Sequence, residues 1–234
     1  MNEVHKETFE EFRRSFNYGK RTDLLFKFLG SRNLTDADAA EFFRGLLEKL
    51  GEALDTGDYT VVREHVFQWQ VHAYAPAEGA PPPQFHYDSA PWAPPRKPLS
   101  QSRVVLISAG GLSVEGDDPL GPDGPTQEQA VPRIQEFLKM PPVLSAIPLD
   151  AAPGRLRIRH PGYDIRAALR DHNVVFPLDR LKELCAEGVI GELADEHYSF
   201  VGASSQLRLL NEAAPQWAER LKSKGVDAAL LVAA

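Results

Sequence analysis

Apolar residues at three-to-four spacing organise the first third of the chain. Phe42, Phe43, Leu46, Leu47, Leu50 and Leu54 recur on a helical period behind Thr35, an N-cap residue followed by Asp36 and Asp38. The spacing predicts one amphipathic helix ending near Gly57. Val62, Val66, Trp69 and Ala73 continue the period and predict a second helix over 58–74, with shorter helices around Phe9 to Phe16 and Asp23 to Leu29. Residues 1–75 therefore read as an N-terminal helical extension.

The pattern breaks over residues 76–99. Eight prolines fall between Pro76 and Pro98, and proline removes the N–H that a helix or central strand needs. This segment reads as a linker or extended arm, and its Phe85, Tyr87 and Trp92 suggest packing along a protein surface or a partner contact.

From residue 100 to 234 strand and helix patterns alternate. Arg103 to Ser108 is a β-branched run that predicts a buried parallel strand. A helix is expected over 126–138, a strand near 155–159, and a helix begun by Pro177 with Leu178, Leu181, Leu184 and Cys185 on one face and Gly188 as its stop. Further expectations are a strand over 198–201, a helix from Leu207 to about Lys224 that Pro215 restarts, and a last strand over 227–234. Such alternation predicts an α/β domain, a parallel sheet with helices on both faces in a doubly wound, Rossmann-like arrangement.

Composition narrows the function. A net charge of −7 with scattered basic residues argues against nucleic acid as a partner. One cysteine, Cys185, excludes an internal disulfide and any paired-cysteine metal site, so no bound metal or cofactor is expected. The N-terminus lacks the apolar core of a signal peptide and no apolar run is long enough to span a bilayer, so the expectation is a cytoplasmic protein without membrane contact. No dinucleotide fingerprint, phosphate loop, nucleophile elbow or zinc-protease motif is present. Gly110-Gly111 after the first strand suits a tight turn better than a phosphate cradle.

One segment concentrates chemistry. Arg159-His160-Pro161-Gly162-Tyr163-Asp164 follows a predicted strand, with Asp171, His172 and Asn173 close behind. In open parallel sheets that edge forms the ligand crevice, and histidine moves its proton near neutral pH. The alternative is a local turn in which His160 and Asp164 hold Gly162 in an unusual backbone conformation over Tyr163. Spacing leaves both open. His65 and His197 read first as packing residues, His5 and His86 as exposed ones, and Cys185 as a small apolar group on a buried helix face.

Several blocks in order resemble a known family: Ile107 to Gly111, Val114 to Asp117, His160 to Asp164, Asn173 to Leu181, Glu187 to Gly191, His197 to Gly202 and Gly225 to Leu231. They resemble selenoprotein B of the glycine, sarcosine, betaine and D-proline reductases. The resemblance implies an oxidoreductase that cleaves a C–N bond of a small amine or amino acid through a selenocysteine or cysteine, with a thiol redox protein and other reductase subunits as partners. It implies His160 as proton donor to the leaving amine, Asp164 orienting its ring, and Gly110, Gly111, Gly162, Tyr163 and Asn173 around the substrate. The family's redox motif follows a strand corresponding to 227–232, so a selenocysteine is expected that this chain lacks, as from truncation at its codon. Two alternatives remain: a non-catalytic binding module or subunit, and an acid/base enzyme that works without a thiol.

Overall fold

The computed structural model describes residues 6–18, 26–31, 33–76, 79–80 and 95–234. They divide into a helical unit within 1–90 and an α/β unit within 91–234. Residues 77–78 and 81–94 of the proline-rich segment, with Phe85, Tyr87 and Trp92, lie outside the described residues, as do His5 and His86.

In the helical unit, α1 (Phe9–Tyr18), α2 (Asp36–Thr56) and α3 (Thr60–Tyr74) form where the periodicity predicts them. Thr35 and Asp38 close a reciprocal capping box: the Asp38 N–H donates to Thr35 Oγ1, and the Thr35 N–H donates to the Asp38 carboxylate at 2.8 Å. Such a cap contributes about 1 kcal/mol. Gly57, at φ 75°, ends the helix in the left-handed region. Phe28, Phe42, Val66 and Ala73 are buried together, with Phe42 edge-on to Phe28 at 5.0 Å and stacked on His65 at 5.4 Å. Leu47 and Leu54 fall on the exposed side of α2. The helix expected from Asp23 is, where described, a 3₁₀ turn over Lys27–Gly30.

The α/β unit runs β1 (Arg103–Ser108), β2 (Leu112–Val114), α4 (Gln127–Ala130), α5 (Ile134–Phe137), β3 (Ser145–Pro148), β4 (Leu156–Ile158) and α6 (Arg166–Arg170). It continues with α7 (Leu178–Ala186), β5 (Glu192–Leu193), β6 (Glu196–Ser199), α8 (Gln206–Arg208), α9 (Ala214–Ser223) and β7 (Ala228–Val232). β1 is the spine of the sheet. β7 pairs with one edge of it, while β5 and β6 share the other, β5 at the start and β6 at the end, all parallel. β3 lies beyond β6 and runs antiparallel.

Alternate residues of β1 feed two cores, as the period of a strand requires. Val104 and Leu106 pack with Phe176, Leu178 and Leu181, whereas Val105 and Ile107 pack with Tyr198 and Leu221.

The sheet is mixed, and the doubly wound arrangement expected from the alternation is not found. β4 leaves the sheet altogether and pairs antiparallel with β2. Its sequence gives the reason: Arg155, Arg157 and Arg159 alternate with Leu156 and Ile158, a one-faced pattern that cannot be buried on both sides. Two helices also depart from expectation at prolines. Pro132 splits 126–138 into α4 and α5 around a 3₁₀ turn, and ahead of Pro215 a π turn over Leu209–Ala213 joins α8 to α9. Among the described residues no helix is long and apolar enough to cross a membrane.

Candidate functional site

The site grows from the end of β1, where the backbone turns out of the sheet. Two buried hydroxyls hold that turn. Ser108 Oγ donates to the Val175 carbonyl and accepts the Gly110 N–H at 2.9 Å; Ser199 Oγ donates to the Ser108 carbonyl and accepts the Leu112 N–H, both at 3.0 Å. Gly111 sits at φ +73°, and a Cβ there would lie 2.2 Å from the Arg159 carbonyl oxygen. Its N–H donates to the Phe200 carbonyl at 2.9 Å and its own carbonyl accepts the Arg159 N–H at 3.0 Å. Gly110-Gly111 is thus the tight crossing of two chain segments.

Arg159 leads into the His160 turn. His160 is 3% exposed, and its Nδ1 accepts the Gly162 N–H at 3.0 Å. The Ala203 N–H points at the other ring nitrogen, donating to Nε2 at 3.4 Å, so backbone N–H groups face the ring from both sides. The ring lies 4.6 Å from that of Tyr163. Tyr163 donates its hydroxyl to the Gly110 carbonyl at 2.9 Å, and burial pushes the phenol up to about 12. His160, Gly162, Tyr163 and Gly110 are therefore brought together. Gly162 does not adopt a positive φ, contrary to the turn reading; a glycine fits because a Cβ would come within 2.9 Å of His160 Cε1.

Two predicted residues go elsewhere. The Asp164 carboxylate accepts from the Arg166 N–H and guanidinium, which hold it below the usual carboxylate range. Asn173 bonds Asp171 through its N–H and side-chain amide and Asp179 through both ends of that amide, locking the entry to α7. His197 is fully buried and fills a gap in the sheet: its Nδ1 accepts the Leu106 N–H at 3.0 Å, a donor that falls between the registers of β5 and β6. Burial, and to a lesser degree the charge of Lys182, lowers its pKa to about 4. Cys185 packs partly buried against the core.

A cavity of about 250 Å³ opens beside the turn, lined among others by Gly111, Ser113, Asp118, Gln127, Arg159 and Val201. Gln127 clamps the His160 peptide, accepting its N–H at 2.9 Å and donating to its carbonyl at 3.0 Å. Arg159 grips Asp118 with both Nη nitrogens, Nη2 to Oδ1 at 2.6 Å. Burial pushes the Asp118 carboxyl up, but the bonds from Arg159 and the Leu120 N–H outweigh it and the net shift is downward. Gln127 and Asp118 escape sequence reasoning because each meets its partner from more than thirty residues away. Local signals near them are Thr126, which caps α4 through a capping box with Gln129, and the Leu120 N–H, which donates to Asp118. No group of three or more His, Cys, Asp or Glu side chains suited to a metal occurs among the described residues.

The family described as glycine/sarcosine/betaine reductase selenoprotein B matches residues 82–234. The chain is 30% identical over 143 residues to D-proline reductase subunit gamma of Acetoanaerobium sticklandii, which covers 61% of this chain and 52% of that relative. It is 33% identical over 149 residues to glycine reductase complex component B subunit gamma of Symbiobacterium thermophilum, covering 64% and 32%. Sarcosine reductase complex component B subunit beta of Peptoclostridium acidaminophilum is 28% identical over 145 residues, covering 62% and 31%. The chain thus spans about half or less of the length of these relatives. No solved structure matches it.

Proposed function

Because the chain belongs to the glycine/sarcosine/betaine reductase selenoprotein B family, we propose that it serves a reductase complex as the component that receives a small amine or amino acid for reductive C–N cleavage. The observation that carries this reading is the coincidence of the family match with the built site. The matched residues 82–234 contain the Gly110-Gly111 crossing, the His160 turn and the adjoining cavity.

In this reading the substrate lies at the loop edge of β1, and His160 donates a proton to the departing amine. The Gly162 N–H, donating to Nδ1, orients the ring, and the Gln127 clamp holds the peptide in place. A general acid of this kind contributes about 10²-fold or more to a rate. The electrons come from a dithiol partner, and the attacking group is a selenol or thiol. Cys185 does not supply it, since it packs against the core on α7, and the reading assigns the nucleophile outside these 234 residues.

The test is isolation of the complex from the native host with selenium analysis, followed by dithiol oxidation with glycine, sarcosine, betaine or D-proline. The expected result is co-isolation with other reductase subunits and oxidation that depends on one of these substrates, with His160→Ala slower by about 10²-fold. A complex that holds this chain and oxidises dithiol at the same rate with and without every substrate would overturn the reading. Unchanged turnover in His160→Ala would remove His160 from it.

A further inference from the structure

Helix α2 carries more apolar surface than its own unit covers. Ala39, Phe42 and Leu46 turn into the core with Val66 and Ala73 of α3. A second series, Ala40, Phe43, Leu47, Leu50 and Leu54, advances by alternate steps of three and four residues, which keeps its side chains in one stripe along the helix. Phe9 and Phe12 of α1 close only the start of that stripe, with ring centroids 6.3 and 6.1 Å from that of Phe43. Beyond them it is open: Leu47 is 69% and Leu54 74% exposed. Phe9, Phe12, Ala40, Phe43 and Leu47 line an open apolar groove, with Arg44 beside them. An exposed apolar stripe of this spacing has the form of a surface that receives another helix.

The row beside the stripe is acidic. Arg44, Glu48, Gly51 and Asp55 adjoin it at the same spacing, and all four are exposed. Arg44 is paired with Glu41, and Lys49, farther round the helix, with Glu52 at 2.7 Å. Glu48 and Asp55 leave the row negative. Gly51 stands between them with nothing within 4 Å of where a Cβ would be, so this flank is open to a long side chain from outside. The last turn of α2 carries no basic residue, and the partial negative charge of the helix end adds to the same field. A second copy of the chain would bring the same acidic row to the contact, and like charges oppose it.

We propose that this stripe of α2 is a docking surface for a basic amphipathic helix of a partner protein. Apolar residues of the partner, at three-to-four spacing, lie along Phe43, Leu47, Leu50 and Leu54, and its flanking Lys or Arg meet Glu48, Asp55 and the end of α2. The proposal stands apart from the reductase reading, because α1, α2 and α3 precede the residues 82–234 that match the family.

The test titrates the full chain into three fluorescein-labelled peptides of about 18 residues each, read by fluorescence anisotropy. The first carries leucines at three-to-four spacing with lysines on the flanks. The second replaces every lysine by glutamate, and the third has the composition of the first in scrambled order. The first is expected to bind saturably, one per chain, and the other two at least about tenfold more weakly. Leu47→Asp and Leu54→Asp, both at exposed positions, should each weaken the first peptide by about tenfold or more. Glu48→Lys combined with Asp55→Lys should reverse the preference in favour of the glutamate peptide. Phe67→Asp, at a 65% exposed position of α3 outside the stripe, should change binding by no more than about twofold. Equal binding of the three peptides, unchanged binding in Leu47→Asp, or an equal loss in Phe67→Asp would each overturn the proposal. So would a dimer seen by sedimentation that Leu47→Asp dissociates, which would assign the stripe to a second copy. The three peptides decide the matter even if a variant does not fold.

Discussion

Phe42 and Ser108 each sit at the centre of one unit, and they hold it by different means. Phe42 meets Phe28, Phe43, His65 and Trp69, ring against ring, between α2, α3 and the 3₁₀ turn. Ser108 meets main chain: the Val175 carbonyl, the Gly110 N–H and, through its own carbonyl, the Ser199 hydroxyl. The contrast extends outward. Packing of apolar side chains builds the helical unit, while in the α/β unit Ser199, His197, Gln127 and Tyr163 all complete backbone groups that the interrupted sheet leaves over. Apolar packing tolerates adjustment, whereas a side chain that replaces a strand partner must arrive at one distance and one angle.

The largest effect is expected where the second unit has no room to adjust. Gly111→Ala combines a φ of +73° with a methyl 2.2 Å from the Arg159 carbonyl oxygen, and should cost about 5 kcal/mol, enough to abolish the folded amide signals of the α/β unit. Retention of those signals would break the contrast, since it would mean that the crossing can open. Next comes the centre of the first unit: Phe42→Ala should cost about 3–4 kcal/mol by urea denaturation, with the smaller loss reflecting neighbours that can close in on the cavity. A cost equal to that of Gly111→Ala would make the two units alike.

The smallest effect sharpens the comparison through pH. His197 has a pKa of about 4 when folded, below its ordinary 6.5, so the unfolded chain takes up a proton between these values that the folded chain refuses. Its stabilising contribution is complete above about pH 6.5 and falls by about 3 kcal/mol down to pH 4. His197→Asn, which keeps an acceptor for the Leu106 N–H, should flatten that part of the stability profile relative to the unmodified chain. Parallel profiles would show that the ring does not stay neutral.

This division also explains what could be read in advance. Thr35, Asp38 and Gly57 mark α2 because caps and period act within a few residues. The same holds for β1, whose buried run announces itself. The Gly110-Gly111 turn and the gathering of His160, Gly162 and Tyr163 were legible as a cluster at a strand's end. Their bonds were not, because Gln127, Asp118 and Ser199 meet partners that lie 33, 41 and 87 residues away in sequence. Asp164 and Asn173 lie close to the cluster in sequence, and their bonds run to Arg166 and to the start of α7.

The gap between β5 and β6 has a consequence for how the protein can vary. In an unbroken sheet the ladder is blind to side-chain identity, so mutation changes the surface of a strand and leaves its pairing alone. At Leu106 the partner is an imidazole, and the pairing of a central strand is written in one codon. A single substitution at position 197 can therefore edit the sheet itself, and hydrogen exchange at the Leu106 amide would read out each edit.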